Sequence, residues 1–278
     1  MECTKLQDVA EKIGYTGVCI GAERVQLLRN SLLTLQNENH FRKTYYWGRI
    51  NGTDNDYHIA FGYAKDCLKD RRFFYSLDCL DWFLLPRPTK CGKLLTPLSP
   101  TLFDGNPSIV TNISKNPAFS AAKNRTEFGE GPPQFLKEED RLSATVEFIT
   151  EESLIIPRGA WCRRPDGSTT ENNAFEGLDP IESLDQKSYL HARFPKEKWT
   201  ENLLTRNDYN YSLDFLDPTS IDIPGECWNI QRYLGSRLII LQNLYWPGMT
   251  FYHIPESPHH GFLYIGYGMK NINLPFML

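Results

Sequence analysis

The sequence predicts an α+β protein in which N-terminal helices pack on a largely antiparallel, aromatic-rich sheet with a long irregular insertion. Three observations carry that expectation. Apolar residues recur at helical spacing near the N-terminus, in Leu6, Val9 and Ile13 and then in Val25, Leu28, Leu32 and Leu35. Aromatic and β-branched runs bounded by turn formers fill residues 44–77 and 227–267. Between them, residues 86–135 are rich in Pro, Gly and Asn and hold no period for more than a few positions.

Each element follows from its local pattern. Thr4 is available to cap a helix carrying Leu6, Val9 and Ile13, and the stretch Gly14–Gly21 breaks it. The second helix spans Ala22–Gln36, with Glu23, Arg24, Gln26 and Arg29 largely off its apolar face. Thr44–Ile50 and Tyr57–Tyr63 read as strands joined by a turn-rich Asn51–Asp56 hairpin, and Phe73–Leu77 is a third strand before Pro86-Arg-Pro88. Residues 86–135 are then an excursion over the surface, a segment ordered against a partner, or a disordered insertion. In 138–149 the spacing of Leu142, Val146 and Ile149 predicts a helix. Ser153–Ile156 and Ala160–Arg163 read as short strands separated by Pro157-Arg-Gly159, with a turn at Pro165–Ser168. Residues 178–206 offer two short helices, the second begun by Pro195 and carrying Trp199 and Leu203. Cys227–Tyr233, Arg237–Leu244, Met249–Ile254 and Phe262–Tyr267 form an antiparallel meander, to which the earlier hairpin can add. The organisation expected is a helical segment at 1–40, a first strand group at 41–85, the irregular excursion at 86–135, and helices with the main sheet at 136–278 sharing one core with 41–85.

Composition narrows the function. In 278 residues, 30 basic against 34 acidic side chains leave a net charge of -4, which argues against a basic nucleic-acid binder and gives little attraction to anionic lipid. No run approaches the ~18 apolar residues of a membrane span, and the N-terminus has no secretory apolar region. The seven cysteines, at 3, 19, 67, 79, 91, 162 and 227, contain no C-x-x-C pair, so reduced thiols are expected, with Cys162 and Cys227 buried beside tryptophans. Acceptor-like sequons at Asn51, Asn112, Asn124 and Asn210 read as coincidence without a secretory signal.

Catalytic signatures are weak. His253, Glu256, His259 and His260 form a local cluster, but H-x-x-E-x-x-H-H matches neither common zinc-helix spacing, and Pro255 and Pro258 forbid a helix there. A solvated loop is the expected reading, with a metal or small-molecule site at 253–260 as the alternative. No G-x-S-x-G elbow exists, and neither Gly14–Gly21 nor Gly129-Glu-Gly131 makes a phosphate cradle. Nothing in the sequence implies a cofactor.

The aromatics are more informative. Tyr45, Tyr46 and Trp47 group together, as do Trp82 and Phe83, and Tyr245, Trp246, Phe251 and Tyr252 precede Phe262, Tyr264 and Tyr267. Strand alternation sends some of them outward as interface anchors unless both sheet faces are covered. Trp246-Pro247-Gly248 is a sharp corner between strands, and Pro157-Arg158-Gly159 repeats the device, with Arg158 either paired to a carboxylate or exposed. The apolar Leu274-Pro-Phe-Met-Leu278 tail should dock on this chain or on a neighbour.

Several of these pieces together resemble a known family. Tyr46-Trp-Gly-Arg-Ile50, Asp56-Tyr-His-Ile-Ala-Phe-Gly62, Tyr75-Ser-Leu-Asp-Cys79 with Asp81-Trp82, Ile155-Ile-Pro-Arg-Gly-Ala160 and Phe175-Glu-Gly-Leu178 are followed by Ser212–Asp217, Leu244–His253 and the end Gly268–Leu278. In this order they resemble the radial spoke head protein 9 family of motile cilia and flagella, over most of the chain from residue 25 onward but poorly in 86–130. The resemblance implies a non-enzymatic subunit of the axonemal radial spoke head. Its partners would be other spoke head subunits, especially the larger ones of the fourth-and-sixth-protein type, which share the Trp-Pro-Gly and Ile-Gly-x-Gly signatures. Through the spoke it would act between the central pair and the outer doublets, passing mechanical signals that coordinate dynein, with no nucleic acid and no membrane insertion. The structural or interface candidates are Trp47, Arg49, Trp82, Arg158, Tyr245, Trp246, Pro247, Gly248, Phe251, Tyr252, Tyr264, Tyr267 and Phe276.

Overall fold

Both apolar stripes at the N-terminus become helices. In the computed structural model, which describes residues 1–14, 19–99, 101–114, 135–196, 209–233, 235 and 237–277, α1 spans Leu6–Ile13 and α2 spans Ala22–Glu38. Their buried residues are the expected ones: Leu6, Val9 and Ile13, then Val25, Leu28, Leu32 and Leu35. Thr4 does not cap α1; it lies within a 3-10 turn at Cys3–Lys5, and the N-cap position falls to Lys5 without a side-chain bond.

The strands assemble into one eight-stranded sheet. Lys43–Ile50 (β1), Tyr57–Tyr63 (β2), Arg72–Ser76 (β3) and Phe83–Leu84 (β4) form an antiparallel ladder. After α3 (Lys90–Leu95), β5 (Val110–Asn112) and β6 (Phe135–Lys137) pair with each other, and α4 spans Glu138–Ser153. Short strands follow at Ile155–Pro157 (β7), Trp161–Arg163 (β8), Thr169–Glu171 (β9) and Tyr189–His191 (β10). Trp228–Tyr233 (β11), Leu238–Asn243 (β12), Met249–His253 (β13) and His260–Gly266 (β14) make the expected meander. The sheet order is β11-β12-β13-β14-β1-β2-β3-β4, and its two halves join where β14 runs parallel to β1, Gly48 opposite Tyr264 and Ile50 opposite Gly266. Beyond that register the Met1 amino group donates to Tyr46 O (2.6 Å) and Phe262 O (3.0 Å), bridging both strands.

Period-two alternation sorts the strand residues between two cores. Ile59, Phe61, Ile239, Leu241, Phe251 and Tyr264 face α4, whereas Ala60, Leu238, Ile240, Tyr252 and Leu263 face α1 and α2. Both faces are therefore covered, and every residue of β2 is buried. Of the two alternatives for the aromatics, core burial holds for Trp47, Trp246, Phe251, Tyr252 and Tyr264, whereas Phe83 on β4 and Tyr267 beyond β14 are exposed.

At β1 the register slips between Tyr46 and Gly48, leaving Trp47 as a bulge residue. The bulge lets adjacent residues serve opposite faces, with Tyr46 in the helix-side core and Trp47 in the other. Trp47 Nε1 donates to Thr150 Oγ1 of α4 at 3.0 Å.

Within 86–135, expected to be irregular, the described residues include α3, whose cap is Thr89 Oγ1 accepting from Gly92 N at 3.0 Å. Leu95, Ile113 and Leu136 form a small core of their own, and Phe103 joins the main one. Glu138, buried at the start of α4, accepts from Gly105 N (2.9 Å) and Tyr57 OH (2.7 Å), tying the excursion to the sheet. The short strands around Pro157-Arg-Gly159 form, but they do not pair with each other: β7 pairs with β10, and β8 pairs with β9 across the expected 165–168 turn. The first of the two helices expected in 178–206 is replaced by 3-10 turns at Glu182–Leu184 and Gln186–Ser188. The second, with Trp199 and Leu203, lies outside the described residues, as do Asn124, Gly129, Gly131, and Leu234 and Ser236 between the first two meander strands. Among the described residues no helix is long and apolar enough to cross a membrane.

Burial also sets an acid limit on stability. His58 and His253 are buried, and their pKa values are pushed down to about 4 and about 3, in both cases chiefly by desolvation. In the unfolded chain both titrate near 6.5, so between that pH and the folded values the unfolded state binds more protons. The share of stability carried by these two histidines is therefore complete above pH 6.5 and falls as pH drops toward 4, on the order of 3 kcal/mol each. The buried Met1 amino group, lowered from 8.0 to about 5 chiefly by desolvation, adds a loss that begins below pH 8. Urea melts at pH 7.5, 6.0 and 5.0 check this, and a midpoint that stays constant across the series would contradict it.

Candidate functional site

The corner singled out in the sequence organises one end of the sheet. Asn243, the last residue of β12, accepts from Trp246 N at 3.0 Å through Oδ1, and Met249 N closes the turn on Trp246 O at 3.1 Å. Pro247 is exposed, while Gly248 adopts φ 102° and accepts from Ile265 N at 3.0 Å. The Trp246 ring is buried, and its Nε1 donates to Glu152 Oε2 at 2.8 Å, near the end of α4. The same carboxylate pairs with Lys270 Nζ at 2.7 Å, and that ammonium lies 4.9 Å from the Tyr245 ring centre. Asn271 N then donates to Tyr245 O at 2.7 Å. The corner thus links α4, the β12–β13 connection and the C-terminal segment.

That segment carries the most exposed apolar surface near the corner. Leu274 is buried as its anchor, but Ile272 is 73 % exposed, Phe276 89 % and Met277 71 %. Of the expected tail, Leu274 docks on this chain, while Phe276 and Met277 turn outward. Tyr267, just beyond β14, is 54 % exposed. Tyr264 is buried, and its hydroxyl accepts from Gly268 N at 3.0 Å. A second exposed apolar set, Leu80, Phe83 and Leu84, lies at the β4 edge.

The remaining candidates lie elsewhere. Arg49 faces Asp56 at 3.4 Å beside the β1–β2 turn, and Trp82 packs partly buried against the helix-side core. Arg158 takes the paired alternative: its Nε and Nη2 donate to the two Asp214 carboxylate oxygens at 2.6 and 2.7 Å, the bidentate geometry arginine favours.

The 253–260 segment is not a uniformly solvated loop. His253 and His260 are paired positions on β13 and β14, and His253 is buried, with Nε2 accepting from Leu178 N at 3.3 Å. Glu256 N donates to Leu178 O at 2.9 Å, so Pro255–His259 forms a turn held against residue 178. Among the described residues no group of three or more His, Cys, Asp or Glu side chains is placed to hold a metal ion.

All seven cysteines are free thiols. Burial pushes Cys3, Cys67 and Cys79 up to about 11 and Cys227 up to about 12, which suppresses the reactive thiolate. Cys162 is only half-buried, because β8 is partly exposed, in contrast to its expected burial. Iodoacetamide on the native protein should label exposed Cys19 first and reach Cys3, Cys67, Cys79 and Cys227 only after denaturation. Rapid native labelling of Cys227 would contradict this.

One polar cluster had no signal in the sequence. Glu171 on β9 receives the hydroxyls of Tyr45 and Tyr63 and faces Lys43 Nζ at 2.5 Å. Glu171 lies more than 100 residues from Lys43, Tyr45 and Tyr63, and no local motif connects it to them.

These features define an α+β protein whose tryptophan corner is structural, with exposed apolar residues at the β4 edge and in the C-terminal segment. No protein-family model matches the chain. Curated proteins do: it is 37% identical over 286 residues to the radial spoke head protein 9 homolog of Danio rerio, 37% over 281 residues to that of Homo sapiens and 36% over 281 residues to that of Bos taurus, with both chains covered completely in each case. The chain belongs to the radial spoke head protein 9 family.

Proposed function

We propose that this protein is a non-enzymatic structural subunit of the radial spoke head in the axoneme of motile cilia or flagella. The observation that carries the reading is the end-to-end identity of 36–37% with proteins named as radial spoke head protein 9 homologues. Its role is to support spoke head assembly, beside the larger subunits of the fourth-and-sixth-protein type. Through the spoke it contributes to mechanical signalling between the central pair and the outer doublets. The raised thiol pKa values and the engagement of His253 with Leu178 favour structural over catalytic use of these groups.

The contact surface is the C-terminal segment, where Ile272, Phe276 and Met277 project from an anchored backbone. Exposed aromatic and apolar residues of this kind are the chemistry of interface anchors. A tagged chain expressed in ciliated cells should remain with salt-washed axonemes and co-fractionate with spoke head subunits. The Phe276→Ser/Met277→Ser double variant should keep its far-UV circular dichroism while spoke head association weakens by ~2 kcal/mol or more, about thirtyfold. Recovery of the wild type only in the detergent-soluble ciliary fraction would overturn the assignment. Undiminished association of the double variant would overturn the proposed surface alone.

A further inference from the structure

Where the β8–β9 hairpin and the Leu154–Ile156 segment cover the sheet, the interior keeps a cavity of about 50 Å³. At about 10–15 Å³ for each enclosed water, it has room for about three to five groups of that size. Much of its lining is hydrocarbon, including Ile155, Ile156, Phe251 and Phe262, and it reaches partly exposed residues at Trp161 and Glu171.

Arg71 also lines this cavity, and its bonding is incomplete. Its Nε donates to Cys67 O at 2.6 Å, and the guanidinium lies over the rings of Trp161 (5.4 Å) and Phe61 (5.7 Å). Its Nη2 is buried without a hydrogen-bond partner. Leaving a buried donor unpaired is costly, and more so on a charged group. Glu171, the carboxylate in the lining, is already committed to Tyr45, Tyr63 and Lys43. Desolvation lowers the Arg71 pKa to about 10, as expected for a buried cation short of acceptors.

We infer that the cavity is a binding site for a small monocarboxylate, with the carboxylate on the Arg71 guanidinium and a short alkyl tail against Ile155, Ile156, Phe251 and Phe262. A carboxylate is planar and accepts only, which matches the guanidinium fork. One negative charge balances one uncommitted cation. A phosphate dianion would bring surplus charge beside Glu171, and a long acyl chain would exceed the space.

The test uses the full chain, with propionate as probe and acetate, phosphate and octanoate as competitors at matched ionic strength. Saturation-transfer NMR should show saturable propionate binding, with a dissociation constant of roughly 1 mM for so small a ligand. Acetate should compete, whereas phosphate and octanoate should not. In the ¹⁵N spectrum of arginine side chains, propionate should shift the Arg71 Nε resonance, a readout that needs no variant. Arg71→Lys, which keeps the charge without the fork, should bind at least tenfold more weakly, and folded Arg71→Met should not bind. Absence of saturable binding and of an Arg71 shift would mean that the cavity holds water only and would overturn the inference. Equal competition by phosphate, or unchanged binding in folded Arg71→Met, would overturn it as well. None of these readouts depends on spoke head assembly.

Discussion

Gly48→Ala is expected to abolish folding of the isolated chain. Gly48 sits directly after the Trp47 bulge with φ 147°, a conformation that L residues rarely adopt. A Cβ built there would lie 2.0 Å from Tyr264 O, and the backbone it meets belongs to β14 at the parallel junction. The strained dihedral alone costs ~1–3 kcal/mol, and the backbone overlap can be relieved only by separating the two strands. Together these reach most of the ~5–15 kcal/mol stability of an ordinary domain. Circular dichroism and urea denaturation of purified Gly48→Ala check this. A variant within 1 kcal/mol of wild type would show that β1 and β14 are not locked together at this position.

Trp246→Ala is expected to lose ~3–5 kcal/mol through the deleted ring volume. The loss is compounded because Glu152, the indole partner, keeps Lys270 but loses its link to the β12–β13 corner. Trp246→Phe retains most of the volume and removes the Nε1 donor, so it separates the two contributions. It should cost ~1.5–3 kcal/mol, the worth of one hydrogen bond to a charged acceptor. Denaturant midpoints of the two variants measure both numbers, and a Trp246→Ala midpoint equal to wild type would remove the corner from the folding energetics.

What was legible in the sequence was whatever a single segment could state. The stripes of α1 and α2, the turn-rich β1–β2 joint and the Trp246-Pro-Gly248 corner carry their signals within a few residues. Coverage of both sheet faces was less plain, although β2 hinted at it by placing Ala60 among larger residues, where it packs into the helix-side core. Three-residue strands such as β7 and β10 are too short to show a period, and their pairing brings together residues 155–157 and 189–191. α3 was hidden because six residues containing a glycine among prolines display no helical stripe. The same limit applied to the candidate sites. Trp246 and Phe276 were visible as residue types, but Glu152, Glu171 and Arg71 acquire their roles only from partners distant in sequence.

The parallel β14–β1 junction has a kinetic consequence. The strand that completes the centre of the sheet comes from the C-terminal part of the chain, since position 48 is matched with position 264. During synthesis β1 through β4 can form a ladder, but one side of β1 stays open until β14 has been made. Such pairing across most of the chain raises contact order, and loop closure must be met before the contacts that reward it exist. An unpaired β1 carrying Tyr45, Tyr46 and Trp47 is also an aggregation-prone edge in that interval. Ribosome-bound chains that end before residue 260 are therefore the species most dependent on chaperones, a dependence that ends when β14 closes the gap.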